Sequence, residues 1–237
     1  SRPSGGVPQL ATLPDVHTPF VTDSFRTLIA DGVVSTDDSF LAVAAGPNEA
    51  ALFQHLGIGD ATITNLDTSQ GEAGAAPYPW SRQAAQALTY DDASFGWGVV
   101  VDGLHHCPSP HAGLLELYRV ARKGVIAFEA RDSALMRLAA RSGLTGEYEV
   151  EAVVAHQGQA GGVDNTGVPN HVYRWTETEF EKTIRSFDPT GEPRFRYFYG
   201  LHLPWDAADM RRSGLKRQVL RVAEPVLRAT TTVAKRQ

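Results

Sequence analysis

Ala87-Leu88-Thr89-Tyr90-Asp91-Asp92-Ala93-Ser94-Phe95, then Val99-Val100-Val101, Leu104-His105-His106-Cys107-Pro108, Glu116-Leu117-Tyr118-Arg119-Val120 and Gly124-Val125 form the stretch on which the fold turns. Phe95 to Val101 reads as a fully apolar strand that closes at Asp102-Gly103. Residues 110–122 read as a helix, because Leu114, Leu115, Leu117, Tyr118 and Val120 recur at helical spacing. Lys123-Gly124 ends that helix, and Val125 to Glu129 is a second buried strand. A strand, a helix and a strand in succession require a crossover connection, which makes the two strands parallel. Near-continuous apolar strands of this kind fit a sheet covered on both faces.

The same alternation extends towards the N-terminus. Phe40 to Ala45 is a short apolar strand ending in the turn signal Gly46-Pro47-Asn48. Glu49 to Leu56 reads as a helix stopped by Gly57 and Gly59, and Ala61 to Leu66 as a strand ending at Asp67. Residues 71–79 are Gly-, Ala- and Pro-rich and read as a loop. Trp80 to Ala87 reads as a helix, with a weak third strand end between Gln83 and Leu88. Residues 1–37 are expected to form an N-terminal helical segment that includes Phe25 to Ile29. In an open parallel sheet, ligands bind beyond the carboxyl ends of the strands. A glycine in the first turn and an acid about 20 residues on suit a nucleotide ribose, though this pair alone is a weak signal.

Beyond residue 132 the reading changes. Residues 146–174 are long, polar and Gly-rich, and loops of that length inside a domain are usually functional or disordered. Thr176 to Phe187 is a helix opened by a capping-box pattern, Thr176 with Glu179 three residues on. Arg194 to Tyr199 alternates as a half-exposed strand does. Residues 211–237 read as a basic amphipathic helix. Such a helix packs on its own domain or on the mate of a homodimer, and less readily lies on an anionic membrane surface.

Composition narrows the function. Of 237 residues, 42% are hydrophobic and 21% charged, as in a soluble globular protein, and no run approaches the roughly 18 apolar residues of a membrane span. A net charge of -5 argues against nucleic acid as a partner. The single cysteine, Cys107, cannot form an internal disulfide, which fits a reducing, cytoplasmic setting. The first six residues lack the apolar core of a signal peptide and read as a disordered leader.

The opening stretch closely resembles the class I S-adenosylmethionine (SAM)-dependent methyltransferases of the large "type 11" group. Members share an A-L-P-F-x-D-x-S-F-D segment, an apolar strand, an L-H-H element and an E-x-x-R-V-L-x-P-G-G helix end. The likeness spans roughly residues 38–132, the expected SAM-binding core, and is strongest over 87–125. It implies a Rossmann-like α/β fold in one domain, a mostly parallel seven-stranded sheet with helices on both faces. It implies SAM as cofactor, held by Ala44, Gly46, Pro47, Asn48, Asp67, Gln83, Ala84 and Asp102. This chain departs from the family's E/D-x-G-x-G-x-G turn. The acidic position is Ala42, the first glycine is Ala44 and the third is Asn48. The family's adenine-side Asp is Ala84, where Gln83 or Gln86 can substitute. The family's Phe-Asp is Phe95-Gly96, while Asp67 stands at the ribose position.

Methyl transfer from a sulfonium is an in-line displacement, so the protein mainly positions the acceptor. An alcohol acceptor must lose a proton as the bond forms, and histidine is suited to take it. His105 and His106 follow the fourth strand, and Glu129 ends the fifth strand next to them. Among the methyltransferases this chain resembles, bacterial sugar O-methyltransferases carry such a His-His element with an acid on the next strand. Catalytic roles for His105, His106 and Glu129 follow from that likeness. The alternative is a packed structural histidine, with Glu129 bonded to a backbone amide or to Arg131. The segment from Gly162 to Trp175 holds Asn165, Asn170, His171, Tyr173, Arg174 and Trp175, side chains suited to a hydroxylated acceptor such as a small molecule or oligosaccharide. The alternative is a surface loop rich in turns, with Trp175 as a hydrophobic staple. No H-x-x-x-H or C-x-x-C spacing links His105, His106, His171, Glu129 and Asp102, so no metal is expected. The Ala- and Arg-rich composition suggests an actinobacterial methylated polysaccharide as the product's destination. The competing readings are a nitrogen or carbon acceptor, and a non-catalytic protein that keeps the fold.

Overall fold

The structure is a computed structural model that describes residues 19–69, 71–143 and 145–200, and the backbone of 229–234. Helix α1 (Pro19–Ala30) buries Val21, Phe25 and Leu28 on one face. Strand β1 (Ser39–Val43) leads into helix α2 (Pro47–Leu56). Pro47 suits the first turn of α2, and Gly57, at φ 73°, ends it in the left-handed conformation that glycine adopts without steric cost. Strand β2 (Asp60–Asn65), the short helix α3 (Gly71–Ala75) and strand β3 (Trp80–Arg82) follow. Next come β4 (Phe95–Val101), a 3-10 turn at Leu104–His106, α4 (Pro110–Val120) and β5 (Ala121–Glu129). Ser109 caps α4 by accepting the Ala112 N–H at 3.3 Å.

After β5 the chain makes an excursion through α5 (Ala134–Arg141), β6 (Tyr148–Glu149), α6 (Val150–Ala155), a 3-10 turn at Val163–Asn165 and β7 (Asn170–His171). It returns as α7 (Glu177–Phe187), β8 (Arg194–Tyr199) and β9 (Ala229–Ala234). The Thr176 hydroxyl accepts the Glu179 N–H at 3.1 Å and opens α7.

The sheet order is β3-β2-β1-β4-β5-β9-β8. The first five strands are parallel, whereas β9 pairs antiparallel with both β5 and β8. Five of the seven strands are therefore parallel, as the mostly parallel seven-stranded expectation has it, and the antiparallel pair completes the edge. Alternate residues of the central strands feed two cores. Phe40, Ala42, Trp97, Val99, Ile126 and Phe128 point towards α1 and α2, where Phe25 stacks on Phe128 at 5.7 Å. Leu41, Val43, Val100, Val125 and Ala127 point the other way, against Leu114 and Leu117 of α4 and Phe180 and Ile184 of α7. Two covered faces explain why these strands are apolar throughout rather than alternating.

The signature stretch has a structural job. Glu116 accepts the Leu88 N–H at 2.9 Å and also binds Arg119. Arg119 donates to the carbonyls of Leu88 (3.0 Å) and Tyr90 (2.9 Å) and pairs with Asp92 at 2.7 Å. The segment ahead of β4 is thus tied to α4 by one guanidinium. Arg119 pulls the Glu116 carboxyl below the usual range, which the Leu88 amide reinforces against the cost of burial.

Several expectations change. Trp80 to Ala87 is not a helix: Trp80–Arg82 is strand β3, paired with Ile63–Asn65. Three residues are too few to show a strand's period. The loop at 71–79 contains α3, and the segment 146–174 contains β6, α6 and β7 rather than running without structure. The basic helix assigned to 211–237 falls largely outside the described residues, and at Ala229–Ala234 the backbone is a strand. Thr230-Thr231-Thr232-Val233 is a run of β-branched residues, which favour strand geometry.

Candidate active site

A cleft of about 330 Å³ opens at the carboxyl ends of β1, β2 and β4. Its walls include the first turn from Ala44 to Glu49, Asn65 and Asp67 after β2, Trp80 of β3, and Asp102 after β4. The first turn is held from below. Ala45 donates to the Thr64 carbonyl at 2.9 Å, and the Asn65 amide donates to the Ala45 carbonyl at 3.1 Å. Glu49 reaches back to accept the Gly46 N–H at 2.7 Å and is itself buried. Ala44 adopts φ 50°, a left-handed conformation that costs an L-residue roughly 1–2 kcal/mol. Gly103 makes room for it, since a Cβ at Gly103 would lie 2.7 Å from the Ala44 methyl. One lost glycine is thus accommodated by another across the turn.

Asp67 accepts the Ser69 N–H at 2.9 Å and the Ser69 hydroxyl at 2.8 Å, one on each oxygen. A carboxylate offers about four acceptor sites, so capacity remains for a diol. Ala44, Gly46, Pro47, Asn48, Asp67 and Asp102 all line the cleft, whereas Gln83 and Ala84 do not. The Gln83 side chain is spent on Thr89, donating to its hydroxyl at 2.9 Å and accepting its N–H at 3.2 Å. Gln86 turns towards Ser109 and Asp164. Glu49, Asn65 and Trp80 were not anticipated at the cleft. Only the pairing of β2 and β3 brings Trp80 there.

Immediately after Asp102 the chain turns at Leu104–His106. Glu129 Oε1 accepts the N–H groups of Gly103 (2.9 Å) and Leu104 (2.8 Å), and its Oε2 faces His105 Nδ1 at 3.3 Å. The amide-bound and imidazole-bound readings of Glu129 therefore hold together. On the far side of the ring, His105 Nε2 lies 3.3 Å from Glu149 Oε2, and His106 Nε2 lies 3.5 Å from the same oxygen. The imidazole rings are 4.6 Å apart. Burial pushes the His105 pKa down, but Glu129 and Glu149 outweigh it and raise it to about 10. His106 moves below its ordinary value through burial and the neighbouring His105 charge. Glu149 is drawn down to about 2, chiefly by His105 and against its own burial. Cys107 beside the turn is pushed up to about 12 by burial, which makes it a poor nucleophile.

Glu149 escaped sequence reasoning because it sits 20 residues beyond β5 in a stretch without periodicity. It is brought to the histidines by the β6–β7 pairing, in which Asn170 stands opposite and donates to Glu149 Oε2 at 3.3 Å. The six residues expected to meet an acceptor mostly build this frame instead. Asn170 is fully buried, and Asn165 accepts the Gly161 N–H. Arg174 donates to the Gly146 carbonyl, and Tyr173 bonds Glu179. Trp175 is buried against Phe180 and His111, so its face is not offered to a ligand. His171 alone of the six is exposed, with its ring against Tyr148.

Residues 41–128 match the methyltransferase domain family. The fold is that of a class I methyltransferase. Similar solved structures include the YcgJ protein of Bacillus subtilis, with TM-score 0.54 and 13% identity over 91% of this chain and 98% of that one. The PH0226 protein of Pyrococcus horikoshii gives TM-score 0.51 and 12% identity, covering 95% of each chain. The plantazolicin methyltransferase BpumL, solved with SAH and a desmethyl substrate analogue, gives TM-score 0.55 and 14% identity over 93% of this chain and 87% of that one. Comparison with curated protein sequences gives no significant match. SAM is the cofactor that the resemblance implies, and BpumL was solved with SAH bound. A cleft of about 330 Å³, lined by both polar and apolar side chains, lies within the usual range for small-ligand sites, roughly 300–1,000 Å³, and fits such a group. Among the described residues, no helix is long and apolar enough to cross a membrane.

Proposed function

We propose that this methyltransferase acts on a hydroxyl of a sugar or a similarly hydroxylated small molecule. The observation that carries the reading is the cluster of His105, His106, Glu129 and Glu149, which begins three residues after the cleft-lining Asp102. Bound SAM supplies a methyl group already activated on a sulfonium. The chain's residues then have three tasks. Gly46, Pro47 and Asn48 present the N-terminal end of α2 to the cofactor, and Asp67 accepts hydrogen bonds from ribose hydroxyls. The His105–His106 turn receives the acceptor, and His106, kept below its ordinary pKa by burial and the neighbouring His105 charge, draws off the proton of its hydroxyl, a contribution worth about 10²–10⁴-fold in rate. Glu129 positions that turn by holding two of its amides and the His105 ring at once. A polar, hydroxyl-bearing acceptor is favoured because two imidazoles and two carboxylates gather at this point. A precursor of a methylated polysaccharide is an acceptor of that class.

The test has two stages. Calorimetric titration with SAM is expected to show one site per chain, and no binding would sink the enzyme reading. Labelled methyl transfer is then followed onto a panel of free sugars, glycosides and amines. The expected product is an alkali-stable methyl ether. Label found only on nitrogen or carbon, or turnover that His105→Ala and His106→Ala each leave within about tenfold, would overturn the assigned acceptor chemistry.

A further inference from the structure

We propose that His105, His106 and Glu149 bind a divalent transition-metal ion, zinc by the character of the ligand set, with an open position facing the acceptor. Among the described residues, one donor atom from each of these three lies within 4.8 Å of the other two. Two of the separations are informative. His105 Nε2 and His106 Nε2 stand 3.3 and 3.5 Å from the same Glu149 oxygen. What marks them is that two imidazole nitrogens converge on one carboxylate oxygen. They match the edge of a coordination tetrahedron, since ligands at about 2.0–2.1 Å from zinc sit roughly 3.3 Å from each other.

The surroundings agree with a bound cation. A metal-ligating histidine commonly gives its other ring nitrogen to a carboxylate, and His105 Nδ1 faces Glu129 Oε2 at 3.3 Å. Glu149 is steadied by the buried Asn170 amide at 3.3 Å. Two imidazoles and a carboxylate suit zinc or a neighbouring transition metal, whereas magnesium and calcium prefer all-oxygen sets. Three protein ligands rather than four leave a place for an outside oxygen, the pattern of catalytic rather than structural zinc.

The consequence for chemistry rests on the hydroxyl-acceptor reading above, with the ion taking the place of the imidazole base, since both Nε2 atoms would be ligands. An acceptor hydroxyl in the open position would lose its proton to solvent more readily. Its oxygen would then form the new carbon–oxygen bond as the carbon–sulfur bond of the cofactor breaks. The binding claim itself does not need that reading.

The test uses the full-length protein, stripped with a chelator and titrated calorimetrically with zinc. One equivalent per chain is expected, and cobalt(II) in its place should give the intense visible bands of a four-coordinate site. Glu149→Gln and His106→Ala should each weaken zinc binding by more than about 100-fold. Glu129→Gln, one step removed from the ion, should weaken it by about 10–100-fold. The half-buried His55, far from the cluster in sequence and bonded to Arg26, serves as control, and His55→Ala should leave binding unchanged. SAM titration of every variant reports whether it is folded. Absence of zinc binding, or binding that Glu149→Gln and His106→Ala leave at full strength, would overturn the proposal. Failure of zinc binding with intact SAM binding removes the cation alone, whereas failure of SAM binding removes the methyltransferase reading and leaves the zinc result to stand.

Discussion

Ala44 carries a backbone strain that the family's glycine would not. At φ 50° its methyl costs roughly 1–2 kcal/mol, while the extra freedom that glycine brings to the unfolded chain costs about 0.4–1 kcal/mol. Ala44→Gly is therefore expected to stabilise the protein, by up to about 1 kcal/mol, in denaturant unfolding. A loss of more than about 1 kcal/mol would show that the methyl is packed rather than strained. SAM affinity should hold or improve, because Ala44 lines the cleft and the change only removes atoms. At this scale the sequence was only partly legible. His105, His106 and Glu129 can be read from their positions at strand ends. Glu149 cannot, because nothing local marks one acid in a polar stretch as the partner of two histidines.

The elements around the site are joined by a few side chains placed at spacings that a sequence does show. Arg119 is the clearest case. It bonds two carbonyls and two carboxylates and connects α4 to the segment that enters β4. Removing it leaves Glu116 half-buried without its cation and frees both carbonyls. Arg119→Ala should cost about 2–4 kcal/mol of stability by chemical denaturation, and Arg119→Lys should recover only part of it, since a single ammonium cannot reproduce the fork. An effect under about 0.5 kcal/mol would mean that the network is a solvated surface pair of little worth. The helix α7 was equally legible, because Thr176 and Glu179 have the spacing of an N-terminal cap. Strand β3 was not. Its three residues acquire strand geometry from the edge of β2, not from their own period.

At the scale of the molecule, β9 inserts between β5 and β8 and is the only described connection of β8 to the sheet. A chain truncated after Gly200 should therefore lose amide protection throughout Arg194–Tyr199 in hydrogen exchange, with β5 left as an exposed edge prone to self-association. Unchanged protection in β8 would show that contacts with α1 and α7 hold that strand by themselves. What the sequence alone determined is the doubly covered parallel core. Continuous apolar strands, capped helices and the segment from Ala87 to Val125 follow from short-range patterns that local physics imposes. The tertiary structure decided the rest. It placed β9 in the sheet, moved Trp80 into the cleft and Gln83 away from it, and set Glu149 against His105 and His106. Those outcomes depend on pairings between residues distant along the chain, where register and burial, not local propensity, determine which side chains meet.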